Sequence, residues 1–388
     1  MRSEHLLRGA VASACVALLA TATPSFGADT VYTGPLSGTW DLDANWSQIG
    51  PDLTWGTPDD VHVQPGAADA AIVLDGSTVN LSSAETVLEV AVSHAASTAD
   101  TSATHGVARL NISTGAALVT NGNSTGIRVG RLLDAGQAVG SSRGEIVQTG
   151  GSVNIQQGAN GLRLSEADGP FGGTPVGDSY YEISGGSLTG RSAVNTIVSD
   201  MRIGRRENVW GTAEFHVNGS GATEIRFLDI QMAGNVASLT GGTGSGTSIL
   251  HFSIDAGGVE TVVAEDEFQF RGGNETLGQN LLQLDLIAEA PEADLLLVQA
   301  DRLNTNGITG NAALERFTGM PDGTVIIRQF GGFEYQWTLE YGDGSDDSTL
   351  DAFVMLDFVS KTLVPEPTSL ALLGLGSMAL LRRRRRGA

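Results

Sequence analysis

A repeat of about 35 residues in the middle of the chain restricts its fold more than any other feature. Gly115, Gly150 and Gly185 each follow a short apolar segment, and they are spaced 35 residues apart. Weaker copies follow at Gly219 and Gly257. Five such units fill residues 106–265, and a period of this length is typical of folds in which repeated coils stack on one another.

The residues within each unit alternate between apolar and polar. Leu110 and Ile112 flank Asn111, and Phe215 and Val217 flank His216, which is the periodicity of a β-strand. Glycine, serine, asparagine and threonine separate these strands, as expected for turns. No unit has enough apolar residues to form a core by itself. We therefore predict an all-β parallel β-helix or β-solenoid of about five 35-residue units, with a β-sandwich as the alternative.

The segments on either side of the repeats are predicted to be β-rich caps, because an uncapped last coil leaves an exposed sheet edge. Residues 28–105 form the N-terminal cap region and contain three of the five tryptophans. Residues 266–363 form the C-terminal cap and carry several short apolar runs.

Residues 1–27 are predicted to be a secretory signal peptide. Arg2 and Arg8 lie near the start, an apolar run of 13 residues follows from position 10 to 22, and small residues precede the junction of Gly27 and Ala28. Such a run is too short for an ordinary membrane span, and we expect signal peptidase to cleave after Gly27. The single cysteine, Cys15, lies in this run, where the alternative is a lipid-bearing cysteine. The mature chain then forms no internal disulfide.

Three ordered features mark residues 364–388. A proline-rich break comes first, a short apolar stretch at positions 370–381 follows, and five arginines come last. The stretch is predicted to be a short helix that spans only a thin membrane, with the arginines on the cytoplasmic side. The alternative is an ordinary tail anchor. The proline-rich break consists of Val364, Pro365, Glu366 and Pro367. The arginine cluster, which is predicted to act as a cytoplasmic stop, consists of Arg382, Arg383, Arg384, Arg385 and Arg386.

This C-terminal pattern resembles the PEP-CTERM sorting signal of exported bacterial proteins, over about 25 of 388 residues. The resemblance implies that an exosortase in the membrane cuts at Pro365, Glu366 and Pro367, after a transient anchoring by the apolar helix. It also implies a destination at the cell surface or outside the cell, and an association with exopolysaccharide and biofilm matrix.

The chain between the two ends is strongly acidic. Seven of the 22 basic residues and two of the 44 acidic residues lie in the ends, so residues 28–364 carry a formal charge of −27. Such a body is repelled by phosphate backbones, and we expect no nucleic-acid partner.

An apolar-Arg-apolar triplet recurs in three units and places Arg128, Arg163 and Arg202 at equivalent positions. Stacked coils would align these three residues, which we call the arginine ladder, on the outer surface. Guanidinium groups in a row can bind acidic sugars through paired hydrogen bonds. The alternative, which we favour, is that they are solvated and paired with nearby Glu145, Glu166 or Asp200.

Two other groups of residues allow a ligand-binding interpretation. Trp40, Trp46 and Trp55 could stack on sugar rings, although tryptophans clustered in a cap more often fill the core. Asp343, Asp346 and Asp347 resemble part of a calcium loop, but the central glycine and distant glutamate are missing, which favours an acidic turn.

The sequence predicts no metal site and no cofactor. Residues 140–144 match the Gly-x-Ser-x-Gly pattern of a hydrolase, but they lie in a glycine-rich loop of a β repeat. The histidines at 62, 94, 105, 216 and 251 lack the i, i+4 spacing of a metal site. We therefore expect a non-enzymatic surface or matrix protein, and a polysaccharide-acting β-helix lyase or hydrolase is the alternative.

Overall fold

The structure is a computed structural model of the whole chain. Its described residues are 29–48, 60–74, 76–95, 107–122, 126–133, 141–156, 161–165, 167–168, 176–204, 211–233, 246–271, 279–304, 316–342, 350–364, 375 and 377.

The regular elements within residues 29–364 are β-strands and one short 3₁₀ helix at Asp43–Asn45. The strands are β1 Asp29–Tyr32, β2 Ser37–Thr39, β3 Trp46–Gln48, β4 Ala70–Val73, β5 Thr78–Leu81, β6 Ala84–Val87, β7 Glu89–Ala95, β8 Val107–Ile112, β9 Ala117–Thr120, β10 Ile127–Leu133, β11 Ser141–Ile155, β12 Leu162–Leu164, β13 Ala167–Asp168, β14 Val176–Thr189, β15 Met201–Ile203, β16 Gly211–Asn218, β17 Ala222–Phe227, β18 Ile230–Ala233, β19 Gly246–Ile254, β20 Val262–Ala264, β21 Glu267–Arg271, β22 Gln279–Leu286, β23 Leu295–Ala300, β24 Arg302–Asn304, β25 Thr324–Phe330, β26 Phe333–Gly342 and β27 Ala352–Leu363.

The chain is a parallel β-solenoid, which confirms the predicted fold class. Successive coils add strands to three parallel stacks. Face 1 contains β1, β4, β7, β10, β12, β15, β18, β21 and β24. Face 2 runs from β2 through β5, β8 and the first halves of β11 and β14 to β16, β19 and β22. Face 3 contains β6, β9, the second halves of β11 and β14, and then β17, β20 and β23.

Apolar side chains from the three faces meet inside the coils. On face 2 the register aligns one inward-pointing residue from each of six coils, and all six are buried: Leu110, Ile146, Tyr181, Phe215, Leu250 and Leu282. Each coil thus covers the apolar residues of the next, which is why a single unit has no stable core of its own.

Glycines allow the corner between faces 2 and 3 to stack closely. Gly151 and Gly186 both have positive φ, at 70° and 80°, a conformation that favours glycine. A Cβ on Gly186 would overlap the carbonyl oxygen of Gly151 in the coil before it. The repeat of glycines in the sequence therefore follows from the contact between neighbouring backbones.

The parallel coils extend beyond residues 106–265. β1, β4 and β7 already pair in parallel on face 1, as do β21 and β24 at the other end. The regions predicted as caps therefore contribute coils of their own. Antiparallel strands occur only outside these coils among the described strand pairs, where β3 covers β1 and the meander of β25, β26 and β27 joins β23.

No helix among the described residues is long and apolar enough to cross a membrane. The predicted signal peptide at 1–27 and nearly all of the predicted C-terminal helix lie outside the described residues.

Candidate functional site

The sheet register brings the three arginines of the ladder into one row on face 1. Arg128 pairs with Arg163 across β10 and β12, and Arg163 pairs with Arg202 across β12 and β15. The row continues with Gln231 and Gln269 in the next two coils. Long polar side chains therefore occupy this outward position over five successive coils.

Acidic residues neighbour the arginine ladder. The side chain of Arg128 is only 11% exposed and lies 3.6 Å from a carboxylate oxygen of Glu89. Arg202 lies 3.8 Å from Asp200, one of the partners that the sequence predicts. Glu145 is not such a partner, because it lies on face 2 and binds Arg109 and Arg143. Glu166 lies outside the described residues.

The tryptophans at the start of the body belong to the core. Trp40 and Trp46 are fully buried, their rings are in edge contact with centroids 4.7 Å apart, and the indole N–H of Trp46 donates to the carbonyl of Trp40. Burial rules out sugar stacking on these two residues. Trp55 lies outside the described residues.

A polar cluster on the outer side of face 2 brings together residues that are far apart in the sequence. Two histidines, His216 and His251, are register partners on β16 and β19, and their rings stack with centroids 3.9 Å apart and planes 7° apart. Both residues are buried, at 8% and 7% exposure. We call the cluster the histidine cluster, and its other members are Tyr180, Glu182, Glu214, Asn218, Ser253 and Asp285.

A chain of hydrogen bonds runs through His216. The Tyr180 hydroxyl donates to Glu182 over 2.7 Å, so it accepts from Nδ1 of His216 over 2.8 Å. Nε2 of His216 then accepts from the Ser253 hydroxyl, also over 2.8 Å. Asn218 donates to the other oxygen of Glu182 over 2.6 Å. This assignment makes His216 a neutral imidazole.

The surroundings of His216 agree with that neutral state. Burial, and secondarily the positive charge of His251, lower the pKa of His216 to about 4. Burial and the neighbouring Glu182 raise the pKa of Tyr180 well above its usual value. Burial acts to raise the pKa of Glu182, but the hydrogen bonds from Asn218 and Tyr180 outweigh it, and the pKa is lowered.

His251 lies between two carboxylates. Its Nδ1 is 2.8 Å from Glu214 and its Nε2 is 3.0 Å from Asp285. A carboxylate oxygen is a hydrogen-bond acceptor, so both ring nitrogens of His251 face acceptors. The i, i+4 rule misses this pair. The 35-residue repeat identifies the two histidines instead. His216 and His251 are 35 residues apart, so they occupy the same position in adjacent coils.

The other predicted sites contribute nothing to the histidine cluster. Residues 141–144 lie within the parallel strand β11, and not in the strand-to-helix turn that a hydrolase nucleophile needs. His62 is exposed, and its Nδ1 is 3.0 Å from the carbonyl of Trp46. His105, Gly140, Asp343, Asp346 and Asp347 lie outside the described residues.

The last strand of the body ends directly before the proline-rich break. β27 ends at Leu363, and the backbone N–H of Val364 donates to the carbonyl of Gly332 over 2.8 Å. Lys361, the only lysine of the chain, lies over the ring of Phe333 and 3.3 Å from Glu292. The folded body therefore reaches to within one residue of Pro365.

These features define a parallel β-solenoid that ends directly before a proline-rich segment. In the comparison with protein families, residues 363–386 match the PEP-CTERM protein-sorting motif. This motif implies export, a transient membrane anchor and processing by an exosortase. No curated protein and no solved structure matches the chain.

Proposed function

We propose that this protein is a non-enzymatic component of the cell surface or extracellular matrix, released by exosortase and associated with exopolysaccharide. The observation that carries the proposal is the sorting motif at residues 363–386, which follows a β-solenoid body without an intervening linker. Such a body presents long side faces, and repeated positions on those faces can bind a repeated polymer at several places.

The charge of the body restricts how it associates with a polymer. A formal charge of −27 on residues 28–364 repels an acidic polysaccharide over most of the surface. The arginine ladder is a local exception, but Arg128 is largely buried, and both Arg128 and Arg202 neighbour carboxylates. Association with neutral sugars is therefore favoured over an ionic mechanism.

The first experiment tests release. The protein collected from the medium is expected to end near Pro365, Glu366 or Pro367, and mass spectrometry of its C-terminal peptide measures this. A Glu366→Ala variant is expected to stay in the membrane fraction with its arginines intact. Released protein that retains Arg382 to Arg386 would contradict exosortase processing.

The second experiment tests association with the polymer. The exported protein is incubated with the producing cell's own exopolysaccharide, and both co-sedimentation and polymer length are followed. We expect co-sedimentation without shortening. In a triple variant, Arg128, Arg163 and Arg202 are replaced by Gln, the residue that already occupies this row at positions 231 and 269. We expect this variant to co-sediment with the polymer as the unchanged protein does. Loss of sedimentation in that variant would instead assign binding to the arginine ladder.

An enzyme acting on polysaccharide is the second candidate, and the histidine cluster is the observation that favours it. The hydrogen-bond chain from Ser253 through His216 and Tyr180 to Glu182 resembles the way an imidazole activates a hydroxyl. However, Ser253 is only 3% exposed, which hinders attack on a polymer. Shortening of the polymer that disappears in a Ser253→Ala variant would favour the enzyme.

A further inference from the structure

The histidine cluster contains the donor atoms of a transition-metal site. One oxygen of Glu214 and one ring nitrogen each from His216 and His251 lie within 4.8 Å of one another, and they form a group of possible metal ligands among the described residues. Glu214 and His216 lie on β16 and His251 lies on β19 in the next coil, and the parallel register places His216 opposite His251.

The two rings point the same way. Nδ1 of His216 faces Tyr180 and Nδ1 of His251 faces Glu214, and Tyr180 and Glu214 are register partners. Nε2 of His216 faces Ser253 and Nε2 of His251 faces Asp285, which are also register partners. Both Nδ1 atoms therefore lie on the side of Glu214, where one ion can contact all three residues.

The other ring nitrogens already have the partners that metal-bound histidines need. A ligating histidine donates its second N–H to a carboxylate or another acceptor, which fixes the ring and raises its basicity. Asp285 holds this position for His251 at 3.0 Å, and the Ser253 hydroxyl can accept from His216 at 2.8 Å. A pair of histidines without these hydrogen-bond partners would be a weaker candidate.

We propose that Glu214, His216 and His251 bind a divalent transition-metal ion of the zinc class through one glutamate oxygen and the two Nδ1 atoms. The ion takes the place of the Nδ1 proton of His251, which leaves to solvent, while neutral His216 moves its proton from Nδ1 to Nε2. Zinc bonds of about 2.0–2.1 Å bring the three ligand atoms to about 3.3 Å from one another, which requires the rings to turn out of their stacked arrangement.

The chemistry of the donors selects the class of ion. Imidazole nitrogens suit zinc, copper and nickel, whereas calcium and magnesium prefer oxygen ligands alone. The acidic groups around the site add a favourable field for any cation, with Glu182 and Asp285 lying beside the two histidines. The site is reached from the outer side, since the side chain of Glu214 is 23% exposed.

Titration calorimetry tests the proposal with zinc chloride as the probe and the exported protein purified from cells that express the full chain. We expect one zinc ion per chain with a Kd of about 10 μM or tighter, a raised Tm because the ion binds only the folded state, and no saturable binding of calcium chloride at this site. Absence of one-to-one zinc binding at about 0.1 mM would overturn the proposal.

Four variants locate the ion. Glu214→Gln keeps the shape of a partly exposed side chain, and we expect it and His251→Gln to weaken zinc binding at least tenfold. Asp285→Asn removes the support of His251 and is expected to weaken binding about 10- to 100-fold. His62→Gln is the matched control, because this histidine lies outside the cluster. The zinc affinity of this variant should equal that of the unchanged protein. Unchanged zinc affinity in folded Glu214→Gln protein, or equal loss in the control, would overturn the assignment.

Discussion

At the scale of single residues, close stacking of coils makes some glycines irreplaceable. Gly186 has a positive φ of 80°, and an added Cβ would overlap the carbonyl of Gly151. We predict that Gly186→Ala lowers the free energy of unfolding by about 3 kcal/mol or more, since backbone strain adds to a clash with a neighbouring backbone. Chemical denaturation monitored by circular dichroism measures the change.

Gly76 is the control for this prediction. It has nearly the same φ, 81°, but no heavy atom lies within 4 Å of the position that a Cβ would take. Gly76→Ala therefore carries the backbone strain without the clash, and we expect a loss of only about 1 kcal/mol. Equal effects of the two substitutions would show that the close contact between coils contributes little.

The residues of the histidine cluster show what sequence patterns can and cannot reveal. Strand alternation places His216 and His251 on the outer side, and the 35-residue spacing places them in adjacent coils. Alternation also places Glu214, two residues before His216, on that side, but these patterns do not show which histidine each acidic neighbour contacts. Glu214 and Asp285 reach His251 from different strands because of the detailed register and side-chain rotamers, which the spacing of the repeats does not determine.

At the scale of elements, hydrogen bonds connect a turn of one coil to a turn of the next coil. The carboxylate of Asp255 accepts from the backbone N–H of Ser220 at 3.0 Å and from the backbone N–H of Gly257 at 2.7 Å. Burial acts to raise the pKa of Asp255, but the hydrogen bonds from Ser220 and Gly257 lower it overall. The charged carboxylate thus joins the turn after β16 to the turn after β19.

We predict that Asp255→Asn lowers the free energy of unfolding by about 1 kcal/mol at neutral pH, because an amide replaces one acceptor oxygen by a donor. The native pKa lies below the unfolded value, so this stabilisation is present above the unfolded pKa and is lost as pH falls through the native pKa. The denaturation curves of the two proteins should therefore converge once the pH is below that native pKa. A difference that persists there would mean that the charge of Asp255 is not involved.

The strands of the repeats could be predicted, but the extent of the solenoid could not. Apolar alternation and the spaced glycines identify the five units at 106–265, and the structure shows these as stacked coils. The coils on either side lack the glycine signal: β4 and β7 pair in parallel on face 1 although their segments have no matching turn. Backbone pairing between coils does not require a repeated sequence, so the period marks only part of the solenoid.

At the scale of the whole molecule, the C-terminal meander closes the last coil. β27 pairs antiparallel with β23, and β26 and β25 continue outward from it, so the edge that a further coil would use on face 3 is occupied. The meander has an aromatic centre. Trp337 and Tyr335 are fully buried, with ring planes 9° apart. These side chains pack the meander against the end of the solenoid.

A solenoid has mainly nearest-neighbour contacts, so damage to this closure should stay local. We predict that Trp337→Ala, which removes a large buried side chain at a cost of about 3–5 kcal/mol, loosens β26 and β27 but not the central coils. Hydrogen exchange should then speed up in β26 and β27 while β14 and β16 remain protected. The uncovered edge of β23 should also produce concentration-dependent association in size-exclusion chromatography.

Trp337→Phe is the matched control for that substitution. The indole N–H of Trp337 has no hydrogen-bond partner among the described residues, so a phenyl ring loses volume but no bond. We expect this variant to elute as the unchanged protein does and to keep slow exchange in β26. If Trp337→Ala instead accelerates exchange equally in every coil, the body unfolds as one cooperative unit. The meander would then stabilise the whole solenoid and not only its end, and exosortase would receive a body whose stability depends on the strand next to the cleavage motif.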